Sequence, residues 1–310
     1  MSDGQNNTER KSNTSSQKKG LRVAAYVLSF VLLCTSGYFG YRLYKNYDEH
    51  KTARDDWSDV REVAYDEPEP SPTDMQDHHV ADTNDNIPTD VSKEESLTEE
   101  EIIDDPNMVK RIDFDALKAA NPDVIAWITI PGTVVDYPIM QDLNYPSKLE
   151  EPYYIRRNMY KQYSISGSLF IEDRYKDDVD NSIAHKIIYG HNMRDGTMFA
   201  CLLNYKSKDY YDNNKYFYIH YPDRTERWLI CAATHVQSTS KMYFTPYRIG
   251  TDDYKSLIEE LQNTSYYDTG VRKFNPYIPS ITLSTCDWTY TDQNGRMAVT
   301  AMLDVTLYWD

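Results

Sequence analysis

The stretch ITLSTCDWTYTDQNGRMAVTAMLDVT, residues 281–306, contains the features that decide the fold. It begins and ends with runs of β-branched and small apolar residues, at 281–285 and 296–306, and a polar segment ending in Gln293-Asn294-Gly295 separates them. Such runs bounded by turn residues are typical of β-strands. The stretch therefore predicts two strands, with Cys286 at the end of the first and Arg296 at the start of the second.

The same pattern recurs through the region from residue 106 to 310, which is long enough to fold around one hydrophobic core. Two helices interrupt it, predicted at residues 197–203 and 252–263, and a third short helix over 114–120 precedes it. The whole is typical of a mainly β protein, a barrel or a sandwich. The six other strand-like runs are at 124–130, 134–139, 168–171, 185–189, 216–220 and 227–236.

The charge of the chain is concentrated in one segment. The formal net charge is −16, and the Asp and Glu residues of 45–105 account for it. The same segment is also rich in Ser, Thr and Pro. This composition predicts a flexible, solvated acidic linker, with a specific acidic docking tail as the alternative. The low pI argues against a nucleic-acid binder, and the sequence has no G-x-G-x-x-G motif and no phosphate-binding P-loop.

The N-terminal region predicts a membrane anchor. Residues 23–41 form an uncharged run of about one hydrocarbon thickness, with Arg22 before it and Arg42 after it. Because basic residues are more numerous before the run, we expect residues 1–20 to be a cytoplasmic tail, 21–44 to be the transmembrane segment, and the rest to be extracellular. The alternative is a cleaved signal peptide, although no A-x-A-like site follows the run. A lipoprotein signal is disfavoured because such signals carry a small residue before the cysteine, whereas Leu33 precedes Cys34 here.

Among the four cysteines, Cys286 is the candidate nucleophile. It ends a buried strand and is followed by a polar segment, where a thiol can be both rigid and accessible. Packing explains Cys201 and Cys231. The alternative couple, Cys231 with His235, would be separated by about 13 Å of strand, which is too far for proton transfer. His191 also ends a predicted strand.

These residues carry a resemblance to a known family. The motifs YGHNM at 189–193 and TLSTC at 282–286, followed by Arg296, resemble the sortases, membrane-anchored cysteine transpeptidases of Gram-positive bacteria. The segment NPDVIAWITIPGTVVDYPIMQ at 121–141 and the helix at 252–263 are most similar to class B. The resemblance implies an eight-stranded β-barrel with added helices. Asp287-Trp288 falls at a variable position of the family and leaves the choice of substrate open.

The resemblance also implies the roles of the site residues. Cys286 would be the nucleophile, His191 the acid and base, and Arg296 the stabiliser of the oxyanion. Ser284 and Tyr189 would line the substrate groove, and packing explains Tyr189 almost as well. Asp287 would orient a basic side chain or contact the substrate, or would be a solvated turn carboxylate.

The implied activity is cleavage of a C-terminal sorting signal of secreted proteins through a thioester. The acyl group would pass to an amine of a peptidoglycan precursor or to a pilin lysine. The alternatives are a papain-like cysteine protease, which places its cysteine before its histidine, and a non-catalytic tethered β-barrel that binds ligands. We expect no cofactor, no metal and no nucleic-acid partner. The carboxylates at 172, 173, 177, 178 and 180 could suggest calcium, but their spacing matches no EF-hand loop.

Overall fold

The structure, a computed structural model, describes residues 5–65, 78–81, 99–142, 151–172, 175, 182–271, 275–287 and 294–309, with only the backbone for 5–25, 78–81 and 99–100. The chain divides into two units, Met1–Lys51 and Thr52–Asp310. Three sequence-based predictions lie partly outside the described residues: the linker at 66–77 and 82–98, the carboxylate cluster except Glu172, and the turn at 288–293.

Eight strands of the second unit close into a barrel. They are β2 Val124–Thr129, β3 Asp136–Met140, β4 Leu169–Ile171, β5 His185–Tyr189, β6 Tyr216–His220, β7 Arg224–Gln237, β8 Ser280–Cys286 and β9 Gly295–Trp309. Their order is β9-β7-β6-β2-β3-β4-β5-β8, and β8 pairs back onto β9. A further strand, β1, His78–Ala81, pairs with the last residues of β9, from Thr306 to Trp309. The predicted eight-stranded barrel is confirmed.

The barrel encloses a continuous apolar core. Trp127 of β2 is fully buried, and Phe217 of β6 stacks on Trp228 of β7 with ring centroids 6.3 Å apart. The long strands β7 and β9 pair along nearly their whole length, with one bulge on β9 at Asp304, opposite Arg227 and Trp228, and one on β7 at Cys231, between Ile230 and Ala232. Such bulges increase the local twist, which a closed sheet requires.

Helix α5, Asp252–Asn263, packs on the barrel within the second unit. It carries the predicted apolar face, since Tyr254, Leu257, Ile258 and Leu261 are all buried. Its N-terminus is capped by Thr251, whose hydroxyl accepts from the Tyr254 N–H. The α-helices are α1 Gln5–Ala64, α2 Glu99–Ile103, α3 Phe114–Ala120, α4 Lys208–Asn213 and α5 Asp252–Asn263, and the 3₁₀ helices are Tyr153–Arg156, Ala200–Lys206 and Lys241–Tyr243.

One predicted helix differs from the structure. The expected helix at 197–203 is instead the 3₁₀ helix Ala200–Lys206. The backbone of Met198 has a positive φ of 55°, and Met198 forms an isolated β-bridge with Asn192. An α-helix cannot continue through a left-handed residue, so the turn begins only after Met198.

The predicted anchor lies within α1, in the first unit. No helix in the part of the chain that the structure describes is long and apolar enough to cross a membrane. The transmembrane segment is therefore not confirmed and stays a prediction.

The predicted linker differs from the structure at both of its ends. Within the second unit, Ala53, Trp57, Val60 and Ala64 at the end of α1 are buried. The indole Nε1 of Trp57 donates to Ser166 Oγ at 3.1 Å. At the other end, Ile102 of α2 is buried in a small cluster on the barrel. The acidic composition of 45–105 concealed these contacts, because most charged side chains between the buried positions, such as Arg54, Asp55 and Asp59, are exposed.

We predict that Trp57→Ala lowers the free energy of unfolding of the full chain by about 3–5 kcal/mol, because it empties a buried site and removes the indole hydrogen bond to Ser166 Oγ. Urea denaturation followed by circular dichroism measures this. The matched control is Phe244→Ala, whose ring is 67% exposed and whose loss should change stability by less than about 0.5 kcal/mol. A similar small effect of both variants would show that residues 52–64 do not belong to the folded unit.

Candidate active site

The three predicted catalytic residues lie at the same end of the barrel. β5 runs parallel to β8 with Tyr189 opposite Ser284, and β9 runs antiparallel to β8 with Cys286 opposite Arg296. Directly opposed residues of an antiparallel pair have Cα atoms roughly 4.5–5.5 Å apart. The closure of the barrel therefore brings Arg296 beside Cys286, and it brings the segment after β5 beside both.

The segment that carries His191 is fastened to the end of β8 by three hydrogen bonds. The Gly190 N–H donates to the Ser284 carbonyl at 3.1 Å. The Thr285 hydroxyl donates to the Gly190 carbonyl at 2.8 Å, and the Asn192 side-chain amide donates to the Cys286 carbonyl at 2.9 Å. These bonds bracket His191 on both sides, so its backbone is fixed relative to Cys286.

Gly190 is required for this close approach. A Cβ at this position would lie 2.3 Å from Leu169 Cδ2 and 2.7 Å from Phe199 Cδ2. Both neighbours are fully buried core side chains and cannot move aside. The glycine in the motif is thus explained by packing beneath the His191 segment rather than by a special φ angle.

The imidazole of His191 has a defined tautomer when neutral. Nε2 lies 2.7 Å from the carbonyl oxygen of Ile155, which can only accept, so Nε2 bears the hydrogen and Nδ1 keeps its lone pair. Burial lowers the pKa of His191 below its usual range, although the bond to Ile155 opposes the effect. The ring is therefore neutral near pH 7 and able to accept a proton at Nδ1.

The second unit contains three cysteines within its described residues. Cys286 and Cys201 are partly exposed, whereas Cys231 is buried. Burial raises the pKa of the Cys201 thiol to about 11 and that of Cys231 to about 12, so neither is a ready nucleophile. Because Cys231 cannot reach solvent, the alternative couple with His235 has no access to a substrate.

Arg296 lies partly buried at the start of β9. Its Nη1 donates to the carbonyl of Gly295 at 3.0 Å, and the guanidinium is close enough to Tyr243 to act on the ring hydroxyl electrostatically. Cys286 also acts electrostatically on the Tyr243 hydroxyl. Arg296 therefore places a fixed positive charge close to Cys286.

The residues predicted to bind substrate differ in their burial. Ser284 is 2% exposed and shares a hydrogen bond of 2.9 Å with the hydroxyl of Tyr243. Tyr189 is partly buried and stacks on Phe170, with centroids 5.4 Å apart. The two residues are neighbours across the pairing of β5 with β8, and their contact with substrate stays a prediction. Asp287 is also buried, which excludes a solvated turn carboxylate, and it pairs with Lys206 at 2.8 Å.

Three residues of the site were missed from the sequence: Asn192, Lys206 and Tyr243. Asn192 could have been found, because it follows His191 directly at the strand end. Lys206 and Tyr243 gave no signal, since they come from helices distant in the chain. No group of three or more potential metal ligands occurs among the residues with described positions.

Comparison with known proteins finds sortase B proteins both among the relatives in sequence and among the similar solved structures. The chain is 31% identical to sortase B of Listeria monocytogenes over 188 residues, which are 60% of this chain and 72% of the relative. It is 25% identical to sortase B of Staphylococcus aureus over 196 residues, 62% of this chain and 75% of the relative. A solved structure, sortase B of Clostridium perfringens, is similar with a TM-score of 0.54 and 26% identity, over 61% of this chain and 98% of that one. No family model matches the chain.

We predict that Asn192→Ala slows alkylation of Cys286 by iodoacetamide about three- to tenfold at pH 7, because the His191 segment loses its tie to the Cys286 carbonyl, worth about 1 kcal/mol. Mass spectrometry of the labelled peptide measures the rate. Asn213→Ala, which removes an exposed amide bonded to Asp209 in α4, is the matched control and should leave the rate unchanged. Equal rates in all three proteins would contradict the positioning role of Asn192.

Proposed function

This chain belongs to the sortase family of cysteine transpeptidases and is similar to class B, and from this premise we propose that it cleaves the C-terminal sorting signal of secreted proteins and transfers them to an amine. The observation that supports this most directly is the pairing of Cys286 with Arg296 across β8 and β9, with the His191 segment fastened to the same strand end.

The first step is the formation of a thioester. In the proposed sequence, neutral His191 accepts the thiol proton at Nδ1, and the Cys286 sulfur attacks the carbonyl carbon of the scissile peptide bond. The carbonyl oxygen becomes an oxyanion. When the tetrahedral intermediate collapses, the C–N bond breaks and His191 returns its proton to the leaving amine.

Arg296 is the proposed stabiliser of the oxyanion. Its guanidinium presents several donors in a fixed plane beside Cys286, and a preorganised cation in a partly buried site stabilises developing charge strongly. Because the strand register sets its position, the charge does not have to be reoriented during the reaction.

The second step is attack on the thioester by an amine in place of water. Membership of the sortase family implies that an amine accepts the acyl group. We propose that this amine belongs to a cell-wall precursor or to a pilin lysine. A positioned amine is favoured because it is a stronger nucleophile than water and gains from proximity. Neutral His191 would take the proton that the attacking amine loses, the C–S bond of the thioester would break, and the released Cys286 thiolate would regain a proton from His191.

We predict that the full chain, incubated with a candidate sorting peptide and triglycine, yields the amide of the N-terminal fragment, and that hydroxylamine diverts it to a hydroxamate. Cys286→Ala should abolish both products, because no thioester can form. Mass spectrometry identifies the products. Cys231→Ala is the matched control, since it removes a buried thiol and should alter stability alone. Product that is independent of amine concentration, or turnover in Cys286→Ala, would contradict the proposal.

We further propose that residues 23–41 anchor the enzyme in the cell membrane, with the N-terminus cytoplasmic and the barrel extracellular. The support is the uncharged run and its basic flanks. In the first unit, large apolar side chains such as Leu28, Phe30 and Leu33 are also more than 60% exposed, an apolar surface that lipid would cover. An anchored enzyme would meet secreted substrates as they leave the membrane.

We predict that trypsin added to intact protoplasts releases a soluble fragment that contains the barrel, because the acidic segment lies outside the cell. Immunoblotting of the supernatant with an antibody against the barrel measures this. An epitope tag at the N-terminus should survive in intact protoplasts and disappear when they are lysed. Protection of the barrel until lysis would overturn this topology.

A further inference from the structure

A buried ion pair directly follows the nucleophile. Asp287 is the residue after Cys286, its side chain is 0% exposed, and its carboxylate oxygens lie 2.8 and 3.0 Å from Nζ of Lys206. The side chain of Lys206 is 25% exposed. The pair is therefore shielded from water mainly on the aspartate side, which is the side nearest to the reactive thiol.

The pair connects both halves of the catalytic site. Lys206 ends the 3₁₀ helix Ala200–Lys206, and this helix begins where the Phe199 N–H donates to the His191 carbonyl at 3.0 Å. One end of the short helix thus contacts the His191 segment, and the other end holds the residue that follows Cys286. A displacement of Lys206 would be transmitted to both catalytic side chains.

Asp287 also fixes the start of β9. Its N–H donates to the carbonyl of Gly295 at 3.0 Å, and the same carbonyl accepts from Arg296 Nη1. His235 of β7 lies 3.4 Å from the Asp287 carboxylate, and a Cβ on Gly295 would come within 2.5 Å of the His235 ring. The backbone around Asp287 is thus held from β7, β9 and the 3₁₀ helix.

We propose that Lys206 and Asp287 are a positioning pair for the transpeptidase reaction, in which Lys206 both holds the Cys286–Arg296 junction in place and neutralises a buried carboxylate beside the nucleophile. The inference rests on the proposed function for its catalytic consequence. Its electrostatic consequence concerns the thiol alone and is tested separately from that function.

Removing the lysine and removing the carboxylate should affect the thiol differently. Without Lys206, the buried carboxylate beside Cys286 loses a cation that lies 2.8 Å away, and the less compensated negative charge disfavours a thiolate. Without the carboxylate, the partly exposed lysine can be hydrated, so the thiol loses no support. The other charged or titratable side chains that surround this corner within the described chain are His191, His235, Tyr243 and Arg296.

The experiment is the pH dependence of Cys286 alkylation in the full chain, together with kcat and KM for transpeptidation. In Lys206→Met, we expect the pH of half-maximal alkylation to rise by roughly one to two units, as expected for a unit charge at close range, with a fall of at least tenfold in kcat and little change in KM. Adding Asp287→Asn to Lys206→Met should return the alkylation profile towards that of the wild type.

Controls separate this role from a structural one. Lys206→Arg keeps the charge and should keep the profile, and Lys208→Met removes a lysine from a surface pair with Asp212 and should change nothing. If Lys206→Met does not fold, the double variant and Lys206→Arg still test the proposal. An unmoved alkylation profile in Lys206→Met, or no recovery in the double variant, would overturn it. If the wild type alkylates as expected but transfers no acyl group to amines, the proposed function fails and the positioning pair stands.

Discussion

The pairing of β8 with β9 is the constraint on which the rest of this structure depends. It closes the barrel, and the same register that buries Leu283 and Val299 on the core side sets Cys286 opposite Arg296. A slip of one residue would exchange the two faces of β8, which is buried on both, so Leu283 would leave the core side and the cost of that lost packing protects the geometry of the site. Cys286 and Arg296 are thus positioned by the packing of the strands that carry them.

The third residue of the proposed catalytic set is positioned differently, because His191 lies on a loop beyond the end of β5. Here the hydrogen bonds of Gly190, Thr285 and Asn192 extend the β5–β8 pairing past the last ladder position. Burial then keeps the ring neutral, and the Ile155 carbonyl selects which nitrogen can accept a proton. The protonation state and the orientation of the base are therefore consequences of packing.

Sequence reasoning recovered what depends on local pattern. The eight strands follow from β-branched runs between turn residues, and α5 follows from the spacing of Tyr254, Leu257, Ile258 and Leu261. Cys286, His191 and Arg296 were predicted to lie together because each stands at a strand end within a family motif, and their catalytic roles stay a prediction. The 3₁₀ helix was mistaken for an α-helix because a positive φ at Met198 is not encoded in any local preference of methionine.

The features that could not be predicted from the sequence are of two kinds. Some are contacts between residues distant in the chain, and others were hidden by averaging the composition over a segment. Lys206 and Asp287 are 81 positions apart, and nothing in either neighbourhood indicates the partner. Residues 45–105 are acidic on average, yet Ala53, Trp57, Val60 and Ala64 repeat at the spacing of one helix face. Composition sums over all faces of a helix, whereas packing uses only one. A highly charged helix can therefore contribute a full apolar stripe to a core, and periodicity, not mean charge, is the property that separates such a helix from a linker.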